Sequence, residues 1–310
     1  DATREALAAA AKDWHDRAER AGDDSLRARA SDAYARFTAL FPDDPEANEL
    51  RYFHGELLWA RATDALHRGE ASSELFLRSR QEFVEVLERD PGGAHTQDAA
   101  YGQLLAARSA LGEPGPAPAV KGLGAVPYGA AAQELVDGYR RYLELGPARG
   151  LEVGRAAHGW ASLAMRHNHF TEARPLLERA IDELDGADET RALAVQSAEM
   201  LVDVLTIAWT GEGQTTAAKA ASAEALETGL KELAERALWE HPDADRLRAA
   251  AATLSASLAW KRAAALYEAG EYRACGEAYT ALAEAHPEPA RREELRANAA
   301  ACFAEVADGG

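Results

Sequence analysis

Residues 256–287 read ASLAWKRAAALYEAGEYRACGEAYTALAEAHP and carry the clearest repeat-like pattern in the chain. Apolar and small side chains recur there at offsets of three and four residues, which places them on one face of a helix. Gly270 interrupts the pattern near its middle, where a glycine allows the backbone to turn between two helices. Pro287 ends the segment, because proline lacks a backbone donor and stops a helix. The segment therefore predicts a helix–turn–helix unit.

A similar ending precedes five prolines, at positions 42, 91, 147, 242 and 287. The positions five, eight and twelve residues before each proline share one helical face. We expect an aromatic residue at −8 to fill the space between helix pairs, and a small residue at −12 to let a neighbouring helix approach closely. In the order of the prolines, the residues at −5, −8 and −12 are Phe37, Tyr34 and Ala30; Val86, Phe83 and Ser79; Tyr142, Tyr139 and Leu135; Ala237, Ala234 and Leu230; and Leu282, Tyr279 and Cys275.

This pattern resembles the tetratricopeptide repeat, a helix–turn–helix unit of about 34 residues. The best unit has Ala263, Tyr267, Gly270, Tyr272, Cys275, Tyr279, Leu282 and Pro287 at the spacing of that family. A second unit, over residues 157–184, has Ala161, Met165, Asn168, Phe170, Ala173, Leu177 and Ala180, with Asn168 in place of the glycine between the helices. The resemblance implies an all-α fold, a right-handed superhelical solenoid of such repeats.

Proline and glycine divide this predicted solenoid into two lobes. Residues 112–127 contain four prolines and four glycines and are predicted to form a surface loop. We therefore expect an N-terminal repeat lobe at residues 1–111 and a C-terminal repeat lobe at residues 128–310. The polar segment 289–307 suits a terminal capping helix, which repeat arrays need at their ends.

Three segments also resemble repeat proteins of the bacterial envelope. They are residues 33–47 with 50–58, residues 83–101, and His167-Asn-His-Phe-Thr-Glu-Ala173. Similar sequences occur in the outer-membrane assembly lipoprotein and in gliding-motility scaffold proteins. This resemblance implies a periplasmic or outer-membrane-associated protein. The chain begins at Asp1 without a start methionine, which fits a processed or trimmed product.

The composition narrows the possible partners. With 34 basic and 52 acidic residues among 310, the net charge is −18. Such a chain would be repelled by a nucleic-acid backbone and by an anionic membrane surface. The longest apolar run that we identify, residues 249–260, is too short to span a membrane, so no direct membrane span is predicted. The expected partners are therefore proteins.

The sequence offers no clear catalytic constellation, so we predict a non-enzymatic protein without a metal or cofactor. The pair His167 and His169 lies at a repeat turn and is interpreted as polar turn residues. Glu56 and Glu82 are expected on solvated helix faces. Cys275 and Cys302 are too few for a disulfide framework, and we expect two buried thiols, although they could meet if their helices are neighbours.

Repeat arrays of this kind usually hold a partner in a groove lined by the first helix of each unit. The candidate groove residues are Arg51, Tyr52, Phe53, Trp59, Arg155 and Trp160. The leading hypothesis is a protein–protein interaction scaffold within a bacterial envelope complex. Two alternatives stay open: a cytoplasmic regulatory or adaptor repeat domain, and an enzyme or ligand-binding protein with a pocket near residues 112–127.

Overall fold

The structure, a computed structural model, describes residues 2–112, 122–285 and 288–308. Over these residues the chain is 83% helical and contains no strand, which confirms the predicted all-α class. Consecutive helices pack in pairs. The helices are α1 Ala2–Ala21, α2 Asp24–Leu40, α3 Ala47–His67, α4 Ser73–Arg89, α5 Thr96–Leu111, α6 Ala130–Leu145, α7 Leu151–Arg166, α8 Phe170–Leu184, α9 Asp188–Thr210, α10 Thr216–Ala234, α11 Asp245–Glu268, α12 Tyr272–Ala285 and α13 Pro289–Asp308.

The chain divides into two compact units, Asp1–Leu184 and Asp185–Gly310. Unit 1 holds α1 to α8, and unit 2 holds α9 to α13. The helices that flank the proline- and glycine-rich segment 112–127, α5 and α6, pack against each other inside unit 1. Most of the loop predicted there, residues 113–121, lies outside the described residues.

In unit 1 the residues counted back from the prolines form the contacts between helices. The −8 residue Phe83, on α4, is 3% exposed and lies between two glycines of the flanking helices, Gly55 on α3 and Gly102 on α5. The −12 residue Ser79 is fully buried and donates a hydrogen bond to the carbonyl of Gly55 at 2.8 Å. The large ring of Phe83 on α4 thus packs against small residues of the helices on both sides, as predicted.

Four helices of the described chain end in the same type of hydrogen-bonded turn, a Schellman motif. In each, one residue has a left-handed backbone: Gly22 after α1 (φ +63°), Gly69 after α3 (φ +73°), Asn168 after α7 (φ +58°) and Gly270 after α11 (φ +76°). The next residue donates its amide five positions back in all four, for example Glu70 to Ala65 at 2.9 Å. Asparagine tolerates this conformation better than most side chains, so the prediction that Asn168 replaces the turn glycine is confirmed.

A second type of turn repeats between helix pairs. After α2 the amide of Asp44 donates to the carbonyl of Phe41 at 3.2 Å, and after α4 the amide of Gly93 donates to the carbonyl of Asp90 at 3.2 Å. Each bond reaches three residues back, and the two bonds lie 49 residues apart in the chain. The next bonds match as well, Ala47 to Asp44 and Thr96 to Gly93. The two proline-containing segments therefore fold into the same connection.

Unit 2 departs from the predicted pattern at Pro242. This proline does not end a helix: α10 ends at Ala234, and the chain then forms two short 3-10 helices, Ala237–Glu240 and Pro242–Ala244. Ala234 and Ala237 are exposed and are not packing positions. The prediction that Pro242 follows a helix end like the other prolines is therefore wrong, and this proline begins a 3-10 turn, where its fixed φ is accommodated. Pro287, which supplied the fifth match, lies outside the described residues.

The two cysteines join α12 to α13. Cys275 and Cys302 are both buried, as predicted, but they form a disulfide and are not free thiols. The bond closes a segment in which the cysteines are 27 residues apart. The other core side chains around it are Ala263, Tyr279, Ala283, Leu295 and Ala299.

Within the described residues, α9 alone is long and apolar enough to cross a membrane when judged by length and composition. Half of its most apolar window is buried inside the protein. Its buried residues, which include Leu201, Leu205 and Trp209, belong to the core of unit 2. The helix includes Glu199 and Asp203, so it is not an uncharged run.

Candidate partner-binding surface

Four rings form a continuous ridge over three successive helix pairs of unit 1. We call His15, Tyr52, Phe53 and His95 the aromatic ridge. Tyr52 stacks on His95 with ring centroids 4.2 Å apart, and Phe53 contacts His95 at 5.8 Å and His15 at 6.4 Å. His15 lies on α1, Tyr52 and Phe53 lie on α3, and His95 is the N-cap residue of α5. The ridge therefore crosses the first helices of neighbouring pairs.

The ridge combines buried bodies with accessible edges. Tyr52 is 9% exposed, and its hydroxyl donates to Glu56 at 2.8 Å. Burial and that carboxylate raise the pKa of Tyr52 above its ordinary value. Phe53, His15 and His95 are half-buried. Burial lowers the pKa of His15, although carboxylates nearby oppose the shift. The rings are thus fixed by packing, with part of their surface facing solvent.

Several carboxylates lie near these rings or near Tyr34, which contacts His15. We call Asp16, Glu19, Glu49, Glu56 and Asp98 the acidic rim. Each acts electrostatically on His15, Tyr34 or Tyr52. Two cations partly offset this charge: Lys12 pairs with Glu49 at 3.7 Å, and Arg27 pairs with Glu19 at 3.5 Å. Five carboxylates and two cations leave a local excess of negative charge around an aromatic surface, which is an arrangement that attracts lysine and arginine side chains.

The six candidate groove residues do not form one surface. Tyr52 and Phe53 belong to the ridge, whereas Arg51 extends towards Glu82 on α4, with the two side chains 3.5 Å apart. Trp59 is half-buried against Phe76 of α4, with ring centroids 5.0 Å apart. These two side chains therefore take part in packing between α3 and α4.

The other two candidates lie on α7. Arg155 is exposed and pairs with Glu152 on the same helix. Trp160 is half-buried, and its indole N–H donates to Glu172 at 2.6 Å. Glu172 also accepts from the hydroxyl of Tyr128 at 3.0 Å. Trp160 is therefore held by its neighbours on α8 and by the segment before α6.

The histidine pair of the α7–α8 turn holds a backbone segment. Both rings contact the carbonyl of Val126, His169 at 2.8 Å and His167 at 3.3 Å. The amide of Val126 donates to the carbonyl of His167 at 2.8 Å, and Tyr128 stacks on His169. No group of three metal-ligating side chains occurs among the residues that the structure describes. The pair fastens the end of the 112–127 segment to the turn.

One buried network has the order of a catalytic triad. The Oγ of Ser31 lies 2.9 Å from Nε2 of His54, and Nδ1 of His54 lies 3.1 Å from the carboxylate of Glu82. Nucleophilic hydrolases use such a sequence of groups, but their serine must reach a substrate. Ser31 is 2% exposed and His54 is 1% exposed. The network therefore joins α2, α3 and α4 with its serine and histidine in the core, and Glu82 is half-buried rather than on the solvated face that was expected.

The comparisons with known proteins do not supply a family. No protein-family model matches the chain, and no curated protein matches it.

Sequence reasoning missed His15, His95 and the rim as a group. A signal for them exists, because residues 12, 15, 16 and 19 of α1 and residues 49, 53 and 56 of α3 recur at offsets of three and four. Those offsets place each set on one helix face. The sequence does not show how each helix is rotated about its own axis, and it is this rotation that turns the two faces in the same direction.

Proposed function

We propose that this protein is a non-enzymatic scaffold that binds a partner protein through the first-helix face of unit 1. The paired helices, the four similar Schellman turns and the repeated inter-pair connection support a solenoid of tetratricopeptide-like repeats with a right-handed superhelix. Such arrays bury each pair only against its neighbours and keep long surfaces free for partners.

The aromatic ridge within its acidic rim is the observation that carries this proposal. Rigid rings provide apolar contact at low entropic cost, and a lysine or arginine over a ring gains about 0.5–2 kcal/mol. The rim adds attraction at longer range, which the net charge of −18 reinforces. The partner segment that fits this surface is therefore basic, with apolar side chains between its charges.

We place this scaffold in a bacterial cell-envelope complex, in the periplasm or at the outer membrane. The disulfide between Cys275 and Cys302 supports this compartment. Disulfides persist in oxidising compartments and are rare in the cytosol. The cytoplasmic regulatory or adaptor domain is the alternative, and free thiols in protein isolated from its native cells would favour it.

The test is capture of partners from native cells by crosslinking, with membrane and soluble fractions analysed separately. The test variant combines Asp16→Lys and Glu56→Lys, two exposed positions beside the ridge. The matched control combines Asp32→Lys and Glu88→Lys, which make the same charge change on exposed sites of α2 and α4. We expect the wild type and the control to capture the same proteins in similar amounts. The test variant should capture at least tenfold less of them.

Equal capture by the test variant and the control would contradict binding at the ridge. A reproducible set of envelope proteins would support the proposed compartment. Capture of regulatory proteins from the soluble fraction alone would replace that compartment with the cytoplasmic alternative.

A further inference from the structure

Unit 2 contains an open cleft against α11, with a volume of about 790 Å³. Its walls come from α11, α12 and α13, and the apolar part includes Trp260, Leu282 and Leu295. Leu295 is 1% exposed, whereas Trp260 and Leu282 are half-buried and present apolar surface to the cleft. The cleft therefore has a fixed apolar floor that is open to solvent.

A second cleft of about 400 Å³ lies on α11 towards α10. Ala252 and Ser255 line both clefts, so the two clefts adjoin along α11. The helix is thinly covered: of its 24 residues, the buried ones are Leu247, Ala251 and Ala263. Small side chains at 252, 255, 256 and 259 follow the three- and four-residue spacing of one face. This face can therefore accept another helix at close range.

Cationic side chains border the larger cleft. Lys261 and Arg291 line it, and none of the described residues that line it is acidic. The Lys261 ammonium lies 4.0 Å from the ring centroid of Trp209, and the Arg291 guanidinium lies 4.6 Å from that of Trp260. Arg291 also pairs with Glu294 at 2.8 Å, so part of its charge is compensated. In a chain of net charge −18, a cleft whose described lining has two cations and no carboxylate is a local exception.

We propose that this cleft binds an acidic amphipathic helix of a partner protein. The apolar face of that helix would pack on the accessible surface of Trp260 and Leu282, and its aspartates or glutamates would pair with Lys261 and Arg291. An amphipathic helix laid in an apolar groove is a recurrent mode of recognition, with anchors at i, i+3, i+4 and i+7. The inference rests on the proposed scaffold function and adds a second surface, which selects the opposite charge from the aromatic ridge.

The test uses the full chain and two labelled 18-residue peptides that share leucines at offsets of three and four. One peptide has glutamate at the remaining positions, and the other has lysine there. Because the acidic rim would also bind the lysine peptide, both peptides are measured on the Asp16→Lys, Glu56→Lys variant of the full chain. There we expect the glutamate peptide to bind with a Kd in the micromolar range and the lysine peptide to bind at least tenfold more weakly. Because the net charge of −18 favours the lysine peptide at long range, the expected preference can arise only from the local cations.

Two pairs of variants locate the binding. Lys261→Glu should raise the Kd of the glutamate peptide at least tenfold, whereas Arg246→Glu, on the same helix and outside both clefts, should change it less than twofold. Ala252→Trp should block the cleft, whereas Ala249→Trp, an exposed position outside the lining, should leave binding intact. Circular dichroism of each variant checks that the helices are retained.

The inference is overturned if the Lys261 and Arg246 variants bind the glutamate peptide equally. It is also overturned if a scrambled peptide of the same composition binds as well, because the cleft would then select acidity without a helix. Neither result affects capture at the ridge, which the Asp16 and Glu56 variant reports. Loss of the cleft alone and loss of the scaffold function are therefore distinguishable.

Discussion

The ring of Phe83 has no free space along two of its edges. A Cβ atom added at Gly102 would lie 2.7 Å from its Cε2 atom, and a Cβ atom added at Gly55 would lie 2.8 Å from its Cε1 atom. Both distances are far below ordinary van der Waals contact. The glycines belong to α5 and α3, so Phe83 cannot retreat from one helix without striking the other.

Gly102→Ala should therefore destabilise unit 1, although it replaces a helical glycine. Overpacking of a tight core costs about 1–3 kcal/mol. Replacing glycine by alanine within a helix returns roughly 0.5–1 kcal/mol. Taking the middle of each range, the expected net loss in the free energy of unfolding is about 1 kcal/mol. Phe83→Leu replaces the ring by a smaller side chain and should relieve the clash. The loss of unfolding free energy in the double variant should therefore be about 1–2 kcal/mol smaller than the sum of the losses in the two single variants.

The measurement is urea denaturation followed by far-ultraviolet circular dichroism, with midpoints compared at equal slope. Gly138→Ala is the matched control, because its added Cβ would lie 3.4 Å from the nearest side-chain atom, the Oε1 of Gln103. We expect the control to be neutral or slightly stabilising. If Gly102→Ala behaves like the control, or if the two changes at Phe83 and Gly102 add without coupling, the packing described for Phe83 is refuted.

Three further predictions concern buried polar groups and the disulfide. His54→Ala should lower the free energy of unfolding by about 2–4 kcal/mol, since it leaves a cavity and an unpaired serine in the core, and a urea midpoint within error of the wild type would contradict the network. Burial lowers the pKa of His158 to about 4 in the folded protein. As the pH falls below about 6.5, the unfolded protein binds a proton at His158 before the folded protein does, and the folded state loses stability. Acidification from pH 7 to pH 5 should therefore cost about 2 kcal/mol more in the wild type than in His158→Asn, and equal pH profiles would refute that environment. Cys275→Ser, or reduction of the disulfide, should lower the free energy of unfolding by roughly 3–4 kcal/mol, because the unfolded chain is no longer crosslinked between cysteines 27 residues apart. Two titratable thiols in the non-reduced protein would disprove the bond.

The repeat-level features were predictable because they depend on local spacing. Residues such as Phe83 and Ser79 occupy the expected positions because helix periodicity fixes which face they share. The turn at Asn168 was predictable because few residues other than glycine accept a left-handed backbone. Pro242 was misinterpreted because a proline ends a helix, precedes one or begins a 3-10 turn, and the residues before it do not distinguish these uses.

The candidate surface was only partly predictable. Tyr52 and Phe53 were identified, but their contacts with His15 and His95 depend on how α1, α3 and α5 rotate against one another, which no single helix encodes. The same limit applies to the Ser31, His54 and Glu82 network, whose members come from three helices. The disulfide required α12 and α13 to be neighbours, and spacing alone left that open.

The central claim is that the first-helix face of unit 1 contacts a partner protein, and position-resolved photocrosslinking tests it most directly. A photoreactive phenylalanine analogue would replace Asp16, Glu56 or Asp98 on the rim, and Asp32 or Glu88 on the second helices. The account predicts covalent adducts to the same partner protein from all rim positions in native cells, and none from the two second-helix positions. Adducts confined to positions 32 and 88, or equal adducts from both sets, would contradict it.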